Sequence, residues 1–303
     1  MLNFIFSETF LVSSIAYALP IVFAALAALI SNKAGTLNIN VEGSMSVAAL
    51  AGALASNSSQ SWAIGLVCAI LVGILMSLIL AACSMGLKTD TILSGIALNT
   101  FASGLVVVIL FAVLGVQGDS SSSPSRMIPT VNVPVLTNIP VVGKLIFGEN
   151  LMVYIAILCV AILWLLIHKT KLGTHIKAVG YNPEAARSVG IHVNQTRIWS
   201  LVFCGIFAGL GGAFLSMVYL SYYSVGMVAG RGFIGLAAEA MGAGNPVSTA
   251  LFAWLFGAVD YFAVGAQSVL NVPYELLNTL PYLMTLLALV IYSVKPGRKS
   301  QSQ

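Results

Sequence analysis

Apolar runs of about 20 residues, the length at which a helix crosses a bilayer core, recur along the chain. They lie near residues 11–30, 38–55, 62–86, 91–116, 151–168, 197–219, 228–244, 247–266 and 279–294. The pattern predicts an all-α polytopic membrane protein of about nine transmembrane helices, with eight or ten reached by moving one weak segment. The longest connections are residues 117–150 and 169–196, so residues 1–303 are expected to form a single transmembrane domain. Its working part then lies within the membrane.

Two of the runs are broken by polar residues and glycines. The stretch GTLNINVEGSM, Gly35 to Met45, puts Asn38, Asn40 and Glu42 where a span should begin. A buried amide without a partner costs several kcal/mol in hydrocarbon, so these residues are expected to face protein or water. Interrupted helices of this kind recur in transporters near the substrate path. Alternatively, Asn38 or Asn40 caps the second helix and Glu42 sits at its positive end; the two roles are compatible. The second broken run, GMVAGRGFIGLAAEAMGAGNP at 226–246, carries Arg231 and Glu239. Charges at membrane depth usually face a bundle interior or a cavity.

Setting Glu42-Gly43 over Arg231-Gly232 also aligns Ala48-Ala49 with Ala237-Ala238 and Ala51 with Ala240. In the nine-span scheme the two segments cross in opposite directions, which is the arrangement of an inverted repeat. Asp260 and Asn99 are further polar residues inside spans; they either line the same cavity or act as structural hydrogen bonders. Gly205, Gly209, Gly211 and Gly212 form a small-residue face suited to close helix packing.

Composition agrees with the pattern. The chain is 59% hydrophobic and only 7% charged, with a mean hydropathy of +0.99, where a soluble domain is about 25% charged. The net charge of +4 is sorted by loop and gives no support to nucleic-acid binding. Lys33, Lys88, Lys169, Lys171, Lys177, Arg187, Arg197, Lys295, Arg298 and Lys299 fall on one side of the nine-span scheme, which is ten of the thirteen Lys and Arg. Only Arg126 and Lys144 fall opposite. Basic short loops stay in the cytoplasm, so the N-terminus is expected outside and the C-terminus inside. The N-terminal run lacks the basic start of a secretory signal and is read as a retained span. Cys68, Cys83, Cys159 and Cys204 have no CxxC spacing, which indicates neither a disulfide framework nor a zinc site.

The segment 169–196 is the sizeable polar connection on the cytoplasmic side. Within it NPEAARSVG reads as a short helix, with Asn182 as N-cap, Pro183 at its first position, Glu184 near its positive end and Gly190 as terminator. Ala185 and Ala186 would let a partner approach closely, and Val189 and Ile191 offer apolar contact. About two turns are marginal in water, so the helix docks either on a partner protein or on the membrane surface. The 117–150 loop, rich in Pro and Ser, is either a connector or an outer docking surface.

GTLNINVEGSM, GYNPEAARSVGI and GRGFIGLAAEAMGAGNP, in this order, resemble the permease subunits of bacterial ABC importers in the branched-chain amino acid, ribose and nucleoside branch. The group serving nucleosides and simple sugars, which works with a lipoprotein of the basic membrane protein type, is the nearest. The resemblance covers nearly the whole chain. It implies a pair of permeases, the same or different, in the bacterial plasma (inner) membrane, carried by two ATP-binding subunits and served by an extracellular or periplasmic binding lipoprotein. It further implies that Asn182, Pro183, Glu184, Ala185, Ala186, Gly190 and Ile191 form the coupling helix that sits in a groove of the ATPase. The family's substrate contacts are not fixed in motifs, so Asn38, Asn40, Glu42, Asn99, Arg231, Glu239 and Asp260 are pathway candidates from their own chemistry.

No G-x-x-x-x-G-K-[ST] phosphate loop occurs, so ATP and Mg are expected on a partner ATPase, with no cofactor bound by this chain. A nucleoside suits amides, hydroxyls and aromatic rings; Tyr219, Tyr222 and Tyr223 are either such rings or an interfacial belt. A ribose-like sugar is the nearest rival cargo. An intramembrane hydrolase would need catalytic groups meeting in the membrane, yet there is no H-E-x-x-H or G-x-S-x-G, and His168, His175 and His192 fall at the polar edge. A passive channel would leave the short cytoplasmic helix without a role.

Overall fold

The computed structural model describes residues 8–130 and 150–267, with positions 279, 283, 284 and 290 beyond them. The described residues are helical, with isolated bridges at Asp119–Ser224 and Thr130–Asn150 and no strand. The elements are α1 (Glu8–Lys33), α2 (Val41–Ser59), α3 (Trp62–Ala81), α4 (Thr91–Leu114), α5 (Leu151–Lys169), α6 (Lys171–Tyr181), α7 (Pro183–Ser188), α8 (Val193–Phe214), α9 (Arg231–Gly242) and α10 (Pro246–Gln267). Single π-helical turns, Ala82–Gly86 and Leu215–Tyr219, extend α3 and α8.

Six of these helices are long and apolar enough to cross a membrane: Val12–Lys33, Trp62–Gly86, Thr91–Leu114, Leu151–Lys169, Val193–Tyr219 and Pro246–Ala266. They coincide within a few residues with six of the predicted spans. Two of the six are central: α1 and α8 are 78% buried over their apolar windows, against 22–33% for the others. Between Ala18 and Ile30 almost every side chain of α1 is enclosed by protein. The peripheral helices instead expose apolar stripes, such as Ile64, Val67, Leu71, Leu75 and Leu78 of α3, spaced three to four residues apart as one helical face. That face is suited to lipid.

Lipid supplies no hydrophobic force to bring helices together, so close backbone approach through small residues takes over. At the α3–α8 contact a Cβ on Gly205 would lie 2.5 Å from the Ile74 Cα, and one on Gly73 would strike the Gly205 carbonyl. Gly235 of α9 meets Ala24 and Ala25 of α1, and Gly257 of α10 meets Ala18. The small-residue face of α8 thus packs as its composition predicts.

The remaining predicted spans differ. The 38–55 run becomes α2, which begins only after a nonhelical segment. The 228–244 run becomes the 12-residue α9, about 18 Å long at 1.5 Å per residue and short of a ~30 Å core. Gly230 at positive φ sets its start and Ala243 and Gly244 at positive φ set its end, so the run is interrupted and α9 alone does not span the core. Most of the 279–294 span and residues 131–149 of the 117–150 connection lie outside the described residues. In 169–196 the structure adds α6, which reads as polar in sequence but carries Leu172, Ile176 and Val179 on its inner side; Ile176 and Val179 are fully buried.

Candidate functional site

The break between α1 and α2 is held by its own side chains. The Ser31 carbonyl accepts hydrogen bonds from the Ala34 and Thr36 amides, and Gly35 takes a left-handed φ of 69°. Asn38 accepts at Oδ1 from the Asn40 amide at 2.8 Å and donates through Nδ2 to Cys204 Sγ at 3.2 Å. Asn40 Nδ2 donates to Ser44 Oγ. Asn99, arriving from α4, donates to the Ile39 carbonyl and accepts from the Gly43 amide at 2.8 Å. Asn40 occupies the N-cap position of α2 without a capping side-chain bond; Asn99 satisfies the first turn from another helix instead. Asn38 and Asn40 are fully buried, and both are engaged in holding the break.

Glu42, in the first turn of α2, reaches across to the start of α9. Its Oε1 accepts from the Gly230 amide at 2.8 Å and its Oε2 from the Gly232 amide at 2.7 Å. A carboxylate at a helix N-terminus satisfies amides that have no intrahelical partner and complements the helix dipole. Gly232 is required by the approach: a Cβ there would lie 2.7 Å from the Glu42 Cα. Since Gly235 packs on Ala24 and Ala25, this junction stands beside the middle of α1. The two broken motifs of the sequence therefore meet, through one carboxylate.

Between the two clamped glycines, Arg231 turns away. It donates to the Met227 carbonyl at 3.1 Å and pairs with Asp260 of α10 at 3.2 Å. Its guanidinium lies 5.7 Å from the centre of the Tyr219 ring. Tyr219 meets Tyr17 edge-on at 5.4 Å, and Tyr17 in turn meets Tyr261. Glu239 is separate, eight residues and about 12 Å further along α9. There both its carboxylate oxygens accept from Asn32 Nδ2, at 3.1 Å, and Lys33 stands near enough to attract it.

The sequence-selected polar residues thus divide among a junction (Asn38, Asn40, Glu42, Asn99), a charge and tyrosine cluster (Arg231, Asp260) and the end of α9 (Glu239). Sequence reasoning missed Ser31, Asn32 and Cys204 as partners and Tyr17 and Tyr261 as neighbours of the charged pair. The only available signal was a tyrosine or serine within an apolar run. Tyr223 belongs to neither a belt nor a pathway: it is fully buried, its hydroxyl hydrogen-bonds Ser46 at 2.9 Å, and burial raises its phenol above the ordinary tyrosine range.

At the other end of the chain's middle, Asn182 Oδ1 accepts from the Glu184 and Ala185 amides, with Pro183 at the first position of α7. Gly190, at a φ of 85°, donates to the Arg187 carbonyl, and Ile191 closes the turn on Ala186. Ala186 is buried with Val179 and Val193, so it anchors α7, while Glu184 and Ala185 face out. Tyr181 and Val189 are strongly exposed beside them. Behind this surface Gly180 of α6 packs on the end of α1 so tightly that a Cβ would strike the Lys33 carbonyl.

Residues 10–289 match the family described as branched-chain amino acid transport system / permease component. The chain belongs to this family. The permease is 32% identical over 287 residues to the nucleoside ABC transporter permease protein NupC of Lactococcus lactis, covering 91% of this chain and 89% of the relative. It is 31% identical over 290 residues to the guanosine ABC transporter permease protein NupQ of Bacillus subtilis, with the same coverage. Over 275 residues it is 27% identical to the glucose ABC transporter permease protein TsgB13 of Haloferax volcanii, covering 83% of this chain and 68% of the relative. A solved structure described as a metal-chelate type ABC transporter in an inward-facing conformation shares the fold, with a TM-score of 0.51 at 18% identity, over 93% of this chain and 85% of that one. The permease is a multi-pass membrane subunit of an ABC transporter and is not itself an enzyme; ATP is hydrolysed by a separate subunit.

Proposed function

We propose that this permease forms the substrate path of an ATP-driven nucleoside importer in the bacterial plasma membrane. It works as one of a pair of permeases, with two ATP-binding subunits and an extracellular binding lipoprotein. The carrying observation is the Glu42 clamp on the first turn of α9, beside the middle of α1. Ends of interrupted helices meeting at such a depth are the arrangement by which transporters build a substrate path.

The geometry also supports an inverted repeat. From their common start at Glu42 and Gly232, α2 runs toward Met217, which packs on Gly52, whereas α9 runs toward Lys33, which packs on Gly244. Met217 and Lys33 mark opposite ends of the central helices α8 and α1. In this scheme residues 279–294 complete nine spans, the N-terminus is outside, 117–150 faces outward and 169–196 faces the cytoplasm.

Coupling runs through α7, with Asn182, Pro183, Glu184, Ala185, Ala186, Gly190 and Ile191 forming the element that enters the ATPase groove. Its exposed side offers Tyr181, Val189 and Glu184. A shift of α7 reaches Gly180, then Lys33, and then both the break at 34–40 and, through Asn32 and Glu239, the end of α9. Such a contact transmits work only if the ATPase binds it differently in its two states.

Similarity to NupC and NupQ supports a nucleoside cargo, and similarity to TsgB13 supports a simple sugar as the second reading. Uptake into liposomes by the assembled transporter, with ATP inside and guanosine, ribose or glucose outside, separates the two. ATP-dependent guanosine uptake supports the proposal; ATP-dependent uptake of sugar alone replaces the cargo, and flux without ATP overturns the importer.

A further inference from the structure

We infer that Tyr219, Arg231 and Asp260, with Tyr17 and Tyr261 behind them, form a contact site for an uncharged nucleoside on the transport path. The inference rests on the nucleoside reading above. It adds to that reading the residues that touch the cargo.

The first argument is exposure. Arg231 and Asp260 lie beside the Glu42 junction, within the length of α1 and toward the end of α8 where Tyr219 stands, and their side chains remain 13% and 19% exposed. Charged groups at membrane depth do not face hydrocarbon without large cost. The surface they present therefore borders water, and water at that depth in a transporter is its path.

A second argument is how the aromatic surface is delivered. The helix of α8 does not simply stop; its last turn widens into the π-helical turn Leu215–Tyr219. Such turns are rare and concentrate at functional sites, where they re-aim a side chain. Leu215, Ser216 and Met217 of this turn are buried, while Tyr219 emerges 38% exposed. A ring held by an Arg guanidinium and by the edge contact with Tyr17 is a fixed platform that keeps part of its surface open.

The third argument is the chemistry on offer. Asp260 receives Arg231 at Oδ2 only; among the described residues its other oxygen has no hydrogen-bond partner. That oxygen can accept from a ribose hydroxyl while a base lies against Tyr219, a stacking that every base permits. The Arg231–Asp260 pair is internally neutral, so the site carries no net charge to hold a phosphate or a carboxylate. It fits a nucleoside in preference to a nucleotide or an amino acid.

The test uses the permease purified with its partner subunits, placed in nanodiscs and loaded with an azido-purine nucleoside during ATP turnover. Illumination followed by peptide mapping is expected to place the adduct at Tyr219, Tyr261 or Tyr17. Guanosine should suppress the adduct, while free ribose and guanosine 5′-monophosphate should not. In liposomes Tyr219→Ala should lower guanosine uptake about tenfold, the scale of one base stacked on one ring, with rescue by Tyr219→Trp. An adduct confined to other helices, in a preparation that takes up guanosine, overturns the inference and leaves the nucleoside importer standing. Loss of guanosine uptake by the wild-type assembly defeats both. Where Tyr219→Ala does not accumulate, the wild-type adduct decides.

Discussion

Glu42 and Gly232 are 190 residues apart in the chain, yet the Glu42 carboxylate accepts the Gly232 amide at 2.7 Å. The contact works in both directions. Glu42 needs a partner able to satisfy a half-buried carboxylate, and α9 needs an acceptor for amides that its own first turn leaves open. Gly232 makes the approach possible because any side chain there would displace the α2 backbone.

Glu42→Gln keeps the size but replaces one acceptor with a donor that faces an amide donor. One charge-assisted hydrogen bond is worth about 1.5–3 kcal/mol, and the loss falls on the junction between α2 and α9. Uptake should drop at least about tenfold while the protein still inserts, as judged by membrane fractionation. Unchanged uptake would remove Glu42 from the transport cycle.

Gly232→Ala tests the same contact from the other side. Overpacking a tight site costs about 1–3 kcal/mol, and the atoms met here are backbone. The purified variant should melt several degrees lower than wild type in a fluorescence melting assay, whereas Gly104→Ala, in open space on α4, should lose little.

Gly180 occupies the step between α6, with α7 beyond it, and the end of α1. Gly180→Val forces α6 off the Lys33 carbonyl. We expect ATP hydrolysis to continue and guanosine uptake to fall, so the ATP spent per guanosine moved rises; a fall in both together would mean that the variant has merely lost assembly.

Gly190→Pro removes the amide that donates to Arg187 and cannot adopt the φ of 85° seen there. Glu184→Arg reverses the charge on the exposed side of α7. Both should abolish uptake with insertion intact, and co-purification of the ATP-binding subunit should be lost or weakened. Normal transport by well-expressed Gly190→Pro would contradict the coupling role.

Much of the fold is written locally. The six long helices follow from apolar runs that need no partner to be recognised, and α7 follows from Asn182, Pro183 and Gly190, whose roles are settled within a few residues. What sequence leaves open is set by partners distant in the chain. Nothing near Asn38 points to Cys204, and nothing near Glu42 points to the Gly230 amide, because backbone donors carry no signature in the side-chain sequence. Asn99 reads in sequence as either a pathway residue or a structural hydrogen bonder, and here it holds the break, since an amide can satisfy a carbonyl and an N–H together. Arg231 was legible as an unusual charge, but its tyrosine neighbours were indistinguishable from other aromatics in apolar runs. The interruption of the 228–244 run is legible in its glycines, but the length of α9 is not, because its alanines raise hydropathy while Gly230 and Gly244 shorten the helix.

The most direct test of the account is ATP hydrolysis by the reconstituted assembly as binding lipoprotein is added with and without guanosine, in wild type and in Glu42→Gln. The account predicts that the guanosine-loaded lipoprotein stimulates hydrolysis and drives uptake in wild type, and that Glu42→Gln retains hydrolysis but loses most of the uptake. Hydrolysis and uptake indifferent to guanosine in the wild-type assembly would contradict it.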